Sequence, residues 1–109
     1  MNAEKLCKKC GFDILAIPSP DKEIGGAYVG DLLSWVMGKA NAADVWITIM
    51  SNVNIIAVAT LADVGCILLS EGVKPDEDII KLAEAKGVNV FSTPLSSYEA
   101  AIAVAEALR

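Results

Sequence analysis

Histidine does not occur in the 109 residues. Its absence removes the commonest acid/base catalyst, the commonest metal ligand and any phosphohistidine chemistry. Cations are also scarce. Nine Lys and Arg stand against 14 Asp and Glu, giving a net charge of −5 and a pI near 4.5. Phosphate-backbone binding needs a basic field, so nucleic acid is not an expected partner, nor is an anionic membrane. No segment approaches the ~20 apolar residues of a membrane helix. The longest such run, Ile55 to Leu61, is broken by Thr60. The opening Met1-Asn2-Ala3-Glu4-Lys5 has no apolar signal region behind it. The expectation is a cytoplasmic protein whose three cysteines are reduced.

What is present is aliphatic. The hydrophobic fraction is 54%, carried by Ala, Val and Ile, while aromatics make up 6%. That balance suits a sheet buried on both faces by helices, with apolar surface left over for a partner. A chain of this length forms one domain, residues 1–109, and buries roughly two-thirds of its unfolded surface.

The order of elements follows from periodicity and punctuation. Residues 2–10 read as a helix with Asn2 as N-cap and Gly11 as its stop. Phe12 to Ile17 reads as a strand ended by Pro18-Ser19-Pro20. A glycine-rich stretch follows, then a short helix from Leu32 to Ala40 with Trp35, Val36 and Met37. After that come strands at 45–50, 66–69 and 88–91. Each is followed by a helix, at 53–62 (capped by Ser51 or Asn52), 76–86 and 96–108. The helix at 76–86 has acids in its first turn, lysine in its last and Gly87 beyond. Ser96-Ser97-Tyr98-Glu99 is a capping box. Strand–helix units at about 21-residue spacing imply parallel strands with right-handed crossovers. The fold class is therefore α/β, a three-layer α/β/α sandwich around a mostly parallel or mixed sheet of four to five strands. The helix at 53–62 is apolar nearly all round and is expected to be the most buried.

Two motifs suggest chemistry. Gly25 to Gly30 has the glycine spacing of a phosphate loop, but Asp31 and Leu32 occupy the places of the required Lys and Ser/Thr. A carboxylate there repels phosphate, and no hydroxyl remains for magnesium. The stretch reads instead as a strand, Ile24 to Val29, whose small residues let a helix or second subunit lie close. Cys7-Lys8-Lys9-Cys10 has redox spacing, but it falls at a helix end rather than at the strand-to-helix start of a thioredoxin motif. Without histidine, a metal would find only Cys66 and carboxylates nearby. The competing reading is two small residues on adjacent turns of a surface helix, with Cys66 in the core. No nucleophile has an obvious base, and no catalytic constellation, metal or cofactor is expected.

In open α/β sheets ligands bind beyond the carboxyl ends of the strands. Here those loops hold Ser51, Asn52 and Asn54, then Ser70, Glu71 and Gly72, then Ser92, Thr93, Ser96 and Ser97. Two of them lead into helix N-termini, which favour anions, although capping alone accounts for Ser51 or Asn52 and for Ser96. The candidate ligand-binding set is Ser51, Asn52, Asn54, Ser70, Gly72, Thr93, Ser96 and Ser97.

The segment Asp21-Lys22-Glu23-Ile24-Gly25-Gly26-Ala27-Tyr28-Val29-Gly30-Asp31 resembles the signature of DRTGG domains, with Lys22 in place of the usual arginine. Asp21, Gly25, Gly26, Gly30 and Asp31 are its structural positions. Asp44-Val45-Trp46-Ile47-Thr48 resembles the family's Gly-Asp-hydrophobic-x-Ile-Thr strand, and Asn54-Ile55-Ile56-Ala57-Val58-Ala59 its buried helix. Cys66-Ile67-Leu68-Leu69 with Gly72, and Ser96-Ser97-Tyr98-Glu99-Ala100-Ala101, complete a resemblance over about residues 12–105. It implies an accessory module of the kind found beside the catalytic region of some bacterial phosphotransacetylases and in some regulatory pyrophosphatases. Such modules are similar to the non-catalytic N-terminal domains of HPr kinase/phosphorylase and of Mur ligases. The Mur relatives bind a uridine nucleotide.

The expectation is a non-catalytic regulatory domain that forms a homodimer and binds a small anionic or nucleotide ligand at its loop face. The alternatives are a protein–protein adaptor without a small ligand, and a redox or metal protein using Cys7 and Cys10. The dimer interface is expected at the glycine strand or at the following helix, with Trp35 and Met37.

Overall fold

Residues 1–109 are described by a computed structural model. The helices are α1 (Ala3–Cys10), α2 (Leu33–Lys39), α3 (Asn54–Ala62), α4 (Glu77–Lys86) and α5 (Ser97–Ala107). The strands are β1 (Asp13–Ala16), β2 (Gly26–Val29), β3 (Asp44–Thr48), β4 (Cys66–Leu69) and β5 (Val90–Ser92). They form one mixed sheet in the order β1-β5-β4-β3-β2. Strands β2 to β5 are mutually parallel, whereas β1 joins antiparallel to β5 with a bulge between Ile14 and Ala16.

The central strands explain the composition. Every residue of β3 and β4 is buried, so both read as continuous apolar runs rather than alternating ones. Alternate residues feed two cores. Trp46, Ile67, Leu69 and Val90 meet Val36 of α2, Ile55, Ile56 and Ala59 of α3, and Ile79 and Ala83 of α4. Val45, Ile47, Cys66, Leu68 and Phe91 meet Leu6 and Cys7 of α1 with Ala100, Val104 and Ala107 of α5. The sandwich expected from sequence is therefore present, with α2, α3 and α4 on one face and α1 and α5 on the other.

Helix ends follow their local chemistry. Asn2 Oδ1 accepts from the Lys5 N–H at 2.9 Å, and Gly11 (φ 71°) closes α1 in the left-handed conformation. The capping box of α5 is formed by Ser96 and Glu99. At α3 the N-cap is Val53, not Ser51 or Asn52. Asn52 still serves the helix start, because its Oδ1 accepts from the Asn54 N–H at 2.9 Å. Helix α3 buries four of its nine residues, the largest share of any helix. It nonetheless leaves Val53 and Leu61 exposed, Leu61 by 70%. Its apolar circumference therefore exceeds what the sheet and its neighbours cover. Cys7 belongs to the core and not to a surface face of α1, because α1 packs beside α5 on the same face of the sheet.

The glycine-rich stretch forms edge strand β2. Gly26 leaves room for the Asp44 carboxylate, which a Cβ would meet at 2.9 Å, and Gly30 for the Tyr28 ring, also at 2.9 Å. The space at these two glycines is thus taken by side chains of this same chain, while helix α5 packs closely against the strand. Asp31 beyond it does not cap α2. Its Oδ1 accepts from Thr48 Oγ1 at 2.7 Å and from the Ile49 N–H at 3.0 Å, tying the end of β2 to the end of β3. Trp46 Nε1 donates to the Gly30 carbonyl at 2.8 Å on the same join. Asp21 lies exposed in the turn before the stretch.

A tighter approach occurs at Gly65, where a Cβ would sit 2.8 Å from the Glu23 carbonyl and overlap Ile24 Cδ1. Gly25 has nothing within 4 Å of such an atom. Gly65→Ala should therefore lower unfolding free energy by about 1–3 kcal/mol, whereas Gly25→Ala should stay within about 0.5 kcal/mol of the parent. Urea unfolding midpoints at constant m-value check the contrast, and equal midpoints for the two variants would contradict it.

Candidate functional site

The connections after β2, β3 and β4 all return on one face of the sheet, through α2, α3 and α4. After β5 the chain crosses to the other face as α5. The β4–α4 and β5–α5 loops therefore leave neighbouring strands in opposite directions. Such a divergence opens a crevice at the carboxyl ends of the strands, the topological switch point where open α/β sheets place ligands. A cleft of about 220 Å³ occupies this position, lined by Asp13, Gly72, Lys74, Ser92, Thr93 and Pro94, with no hydrophobic residue among them.

The walls are fastened to each other. The Glu71 N–H donates to the Leu95 carbonyl at 2.7 Å and the Gly72 N–H to the Thr93 carbonyl at 3.0 Å. The Ser97 N–H donates to Glu71 Oε2 at 3.3 Å, and the Ser70 and Ser97 hydroxyls share a 2.6 Å hydrogen bond. Glu71 and Gly72 are both left-handed, with φ of 60° and 73°. Glycine takes that conformation freely, but a glutamate there carries local strain. The carboxylate that holds Ser97 and the turn that presents Gly72 both depend on it.

Asp13 enters from an unexpected direction. Because β1 runs antiparallel to β5, its first residue lies at the same end as the last residue of β5, and Asp13 pairs with Ser92. Directly paired residues project from the same sheet face. Asp13 and Lys74 belong to no ion pair within the chain. They present one carboxylate and one ammonium to the same polar space.

The residues selected from sequence separate into groups. Gly72 and Thr93 line the cleft. Ser70, Ser96 and Ser97 are committed to the loop contacts and to the α5 cap. Ser51, Asn52 and Asn54 lie beyond β3, separated from the cleft by β4. Asn54 instead lines an apolar groove of about 460 Å³ between α3 and α4, with Val53, Ala57, Leu61, Leu82 and Lys86. Asp13 and Lys74 were missed. Lys74 carries a legible signal, as a cation between Gly72 and Pro75 in the loop after a strand. Asp13 carries none, since its place depends on the antiparallel pairing.

The cysteines are held as thiols. Cys7 Sγ donates to the Phe12 carbonyl at 3.2 Å. Burial, with smaller effects from Cys10 and Asp13, pushes its pKa from 9.0 to about 11. Burial also raises Cys10, against a lowering effect of Lys9, and raises Cys66 strongly. A redox-active or metal-binding cysteine needs the opposite shift. No group of three or more Cys, Asp or Glu side chains converges to hold a metal ion.

Against known proteins, the DRTGG domain family model matches residues 25–107. The fold is similar to the crystal structure of the CBS and DRTGG domains of the regulatory region of Clostridium perfringens pyrophosphatase, complexed with the activator diadenosine tetraphosphate. The TM-score is 0.75 at 18% identity, covering 98% of this chain and 47% of that one. The chain thus spans about half the length of that region. Among curated proteins none matches in sequence.

The buried thiols couple stability to pH. Above about pH 9 the unfolded chain loses thiol protons that folded Cys7 retains until about pH 11. The native state then binds more protons than the unfolded state, so stability falls as pH rises. Unfolding free energy should decline from pH 9 towards 11, and less steeply in Cys7→Ala. Denaturant melts of both proteins across this range check the prediction, and identical slopes would refute it.

Proposed function

The chain belongs to the DRTGG domain family, and from that premise we propose that residues 1–109 act as one non-catalytic regulatory module binding a small anionic or nucleotide ligand at its loop face. The observation that carries this reading is the polar cleft at the switch point, with Lys74 free of any ion pair. The similar pyrophosphatase regulatory region was crystallised with a dinucleotide activator, which supports a nucleotide-like ligand for this module. The resemblance to HPr kinase does not extend to phosphoryl transfer. Asp31 is engaged with Thr48 and Ile49, where a phosphate loop needs a lysine.

Such a domain acts by moving an equilibrium, and a ligand can do so only through different affinities for two states. The second state here is supplied by assembly. Strand β2 is a sheet edge without Lys, Arg, Asp, Glu or Pro between Ile24 and Gly30. Monomeric proteins normally protect such edges with charge, proline or a bulge. Trp35, 55% exposed, and Met37 lie on the helix that follows. A second copy of the chain is the proposed cover. An adaptor role is favoured by a separate observation, the α3–α4 groove and its exposed Val53 and Leu61.

Titration with nucleotides, monitored by backbone amide NMR, should shift the amides of residues 70–74, 92, 93 and 95–97. Lys74→Ala should weaken binding about tenfold, the loss of one charge-assisted contact. Shifts confined to the α3–α4 groove, or none with any nucleotide or anion, would reject the ligand reading in favour of the adaptor.

Sedimentation at micromolar concentration should give twice the 11.4 kDa chain mass. Val29→Lys, which places a charge on the edge strand, should return it to one chain. A single-chain mass for the parent protein would remove the dimer.

A further inference from the structure

We infer that the switch-point cleft is a subsite for a phosphorylated sugar, the ribose-phosphate end of a nucleotide included, and that the base lies outside it. This rests on the loop-face reading above and specifies which part of the ligand is recognised. The inference comes from the functional groups the cleft leaves uncommitted. Ser92 is 5% exposed, yet its hydroxyl takes part in no hydrogen bond within the chain. No sealed side-chain polar atom lacks a partner, so that hydroxyl opens into the cleft it lines. Thr93 is 4% exposed, and its Oγ1 accepts from the Leu95 N–H at 3.3 Å, leaving its own proton to donate. Lys74 and Asp13 contribute an unpaired ammonium and an unpaired carboxylate.

That inventory selects among ligands. A bare phosphate satisfies Lys74 and the hydroxyls, but it leaves Asp13 as a like charge beside it. A nucleobase stacks best on an aromatic face, and this cleft has no aromatic side chain, Pro94 being its one apolar ring. A sugar phosphate answers every group. Its phosphate accepts from Lys74 and from the Ser92 and Thr93 hydroxyls, while its hydroxyls donate to the two Asp13 oxygens, which accept only. Asp13 and Ser92 are paired across β1 and β5, so carboxylate and hydroxyl face the ligand from the same side of the sheet. The volume of about 220 Å³ suits a sugar phosphate and not a complete nucleotide.

The test is calorimetric titration of the full chain with ribose 5-phosphate, inorganic phosphate, ribose, AMP and UMP. Ribose 5-phosphate, AMP and UMP should bind within about threefold of one another, and inorganic phosphate at least about tenfold more weakly. Asp13→Asn should weaken ribose 5-phosphate about tenfold while leaving inorganic phosphate unchanged or tighter, and Ser92→Ala should weaken both. Asp13 lies on the surface, so its variant does not disturb the core. If AMP and UMP differ by more than about tenfold, or bind while ribose 5-phosphate does not, the base is being read and this inference fails, with the loop-face reading intact. Glycine, titrated alongside as a free amino acid that also matches one ammonium and one carboxylate, would overturn it by binding more tightly than ribose 5-phosphate. If nothing in the series binds, this inference fails, and titration with diadenosine tetraphosphate then decides the loop-face reading by itself.

Discussion

A sheet whose central strands are apolar on both faces needs cover on both. Strands β2 to β5 run in sequence order, and α2, α3 and α4 return on one side. The second face, carrying Val45, Ile47, Cys66, Leu68 and Phe91, can then be covered only by what comes before β2 and after β5. Helices α1 and α5 do this. The change of side after β5 is therefore forced by burial, and the cleft between the β4–α4 and β5–α5 loops is its by-product. The place where a ligand can enter thus follows from where the chain had to cross the sheet.

Much of this was legible in the sequence because it is local. The capping box at Ser96, the left-handed stops at Gly11 and Gly87 and the acid-to-base polarity of α4 are each written in a few adjacent residues. The unbroken apolar runs of β3 and β4 identify strands covered on both sides. What was hidden is long-range. No short-range pattern says that β1 pairs antiparallel with β5, so Asp13 could not be placed beside Ser92. Reading the loops strand by strand gathered Ser51, Asn52 and Asn54 with the others, whereas β4 separates them from the cleft. Only the direction in which successive loops depart distinguishes the two ends of the sheet.

The small residues of the glycine-rich stretch serve more than one neighbour, helix α5 against the strand among them. Close approach does occur at Gly26 and Gly30, but it is made by Asp44 and Tyr28 of the same chain. The strongest demand for glycine lies elsewhere, at Gly65, where the segment Glu23–Ile24 crosses before β2 begins. Asp31, which denies the stretch a phosphate-loop role, is used to join β2 to β3 through Thr48 and Ile49. A carboxylate that accepts from a buried hydroxyl and a backbone N–H is committed to structure. The signature accordingly marks the edge of the sheet and the join behind it, with its outer rim left open.

The two concavities of the molecule differ in what they can discriminate. The groove between α3 and α4 is lined mainly by aliphatic carbon, and burial there rewards area with little regard to identity. The loop cleft has no large aliphatic or aromatic side chain, so an occupant must match its polar groups individually, because each unmatched group costs its desolvation. The hydrogen bonds between its walls bear directly on that selectivity. A mobile pair of loops could rotate Ser92, Thr93 and Lys74 to suit many ligands, whereas loops joined by Glu71, Gly72, Ser70 and Ser97 offer one arrangement. The left-handed backbone at Glu71 fits the same logic. Strain held in place by surrounding contacts is tolerable where a fixed geometry serves recognition, and here it aims the carboxylate that holds the α5 loop against the α4 loop.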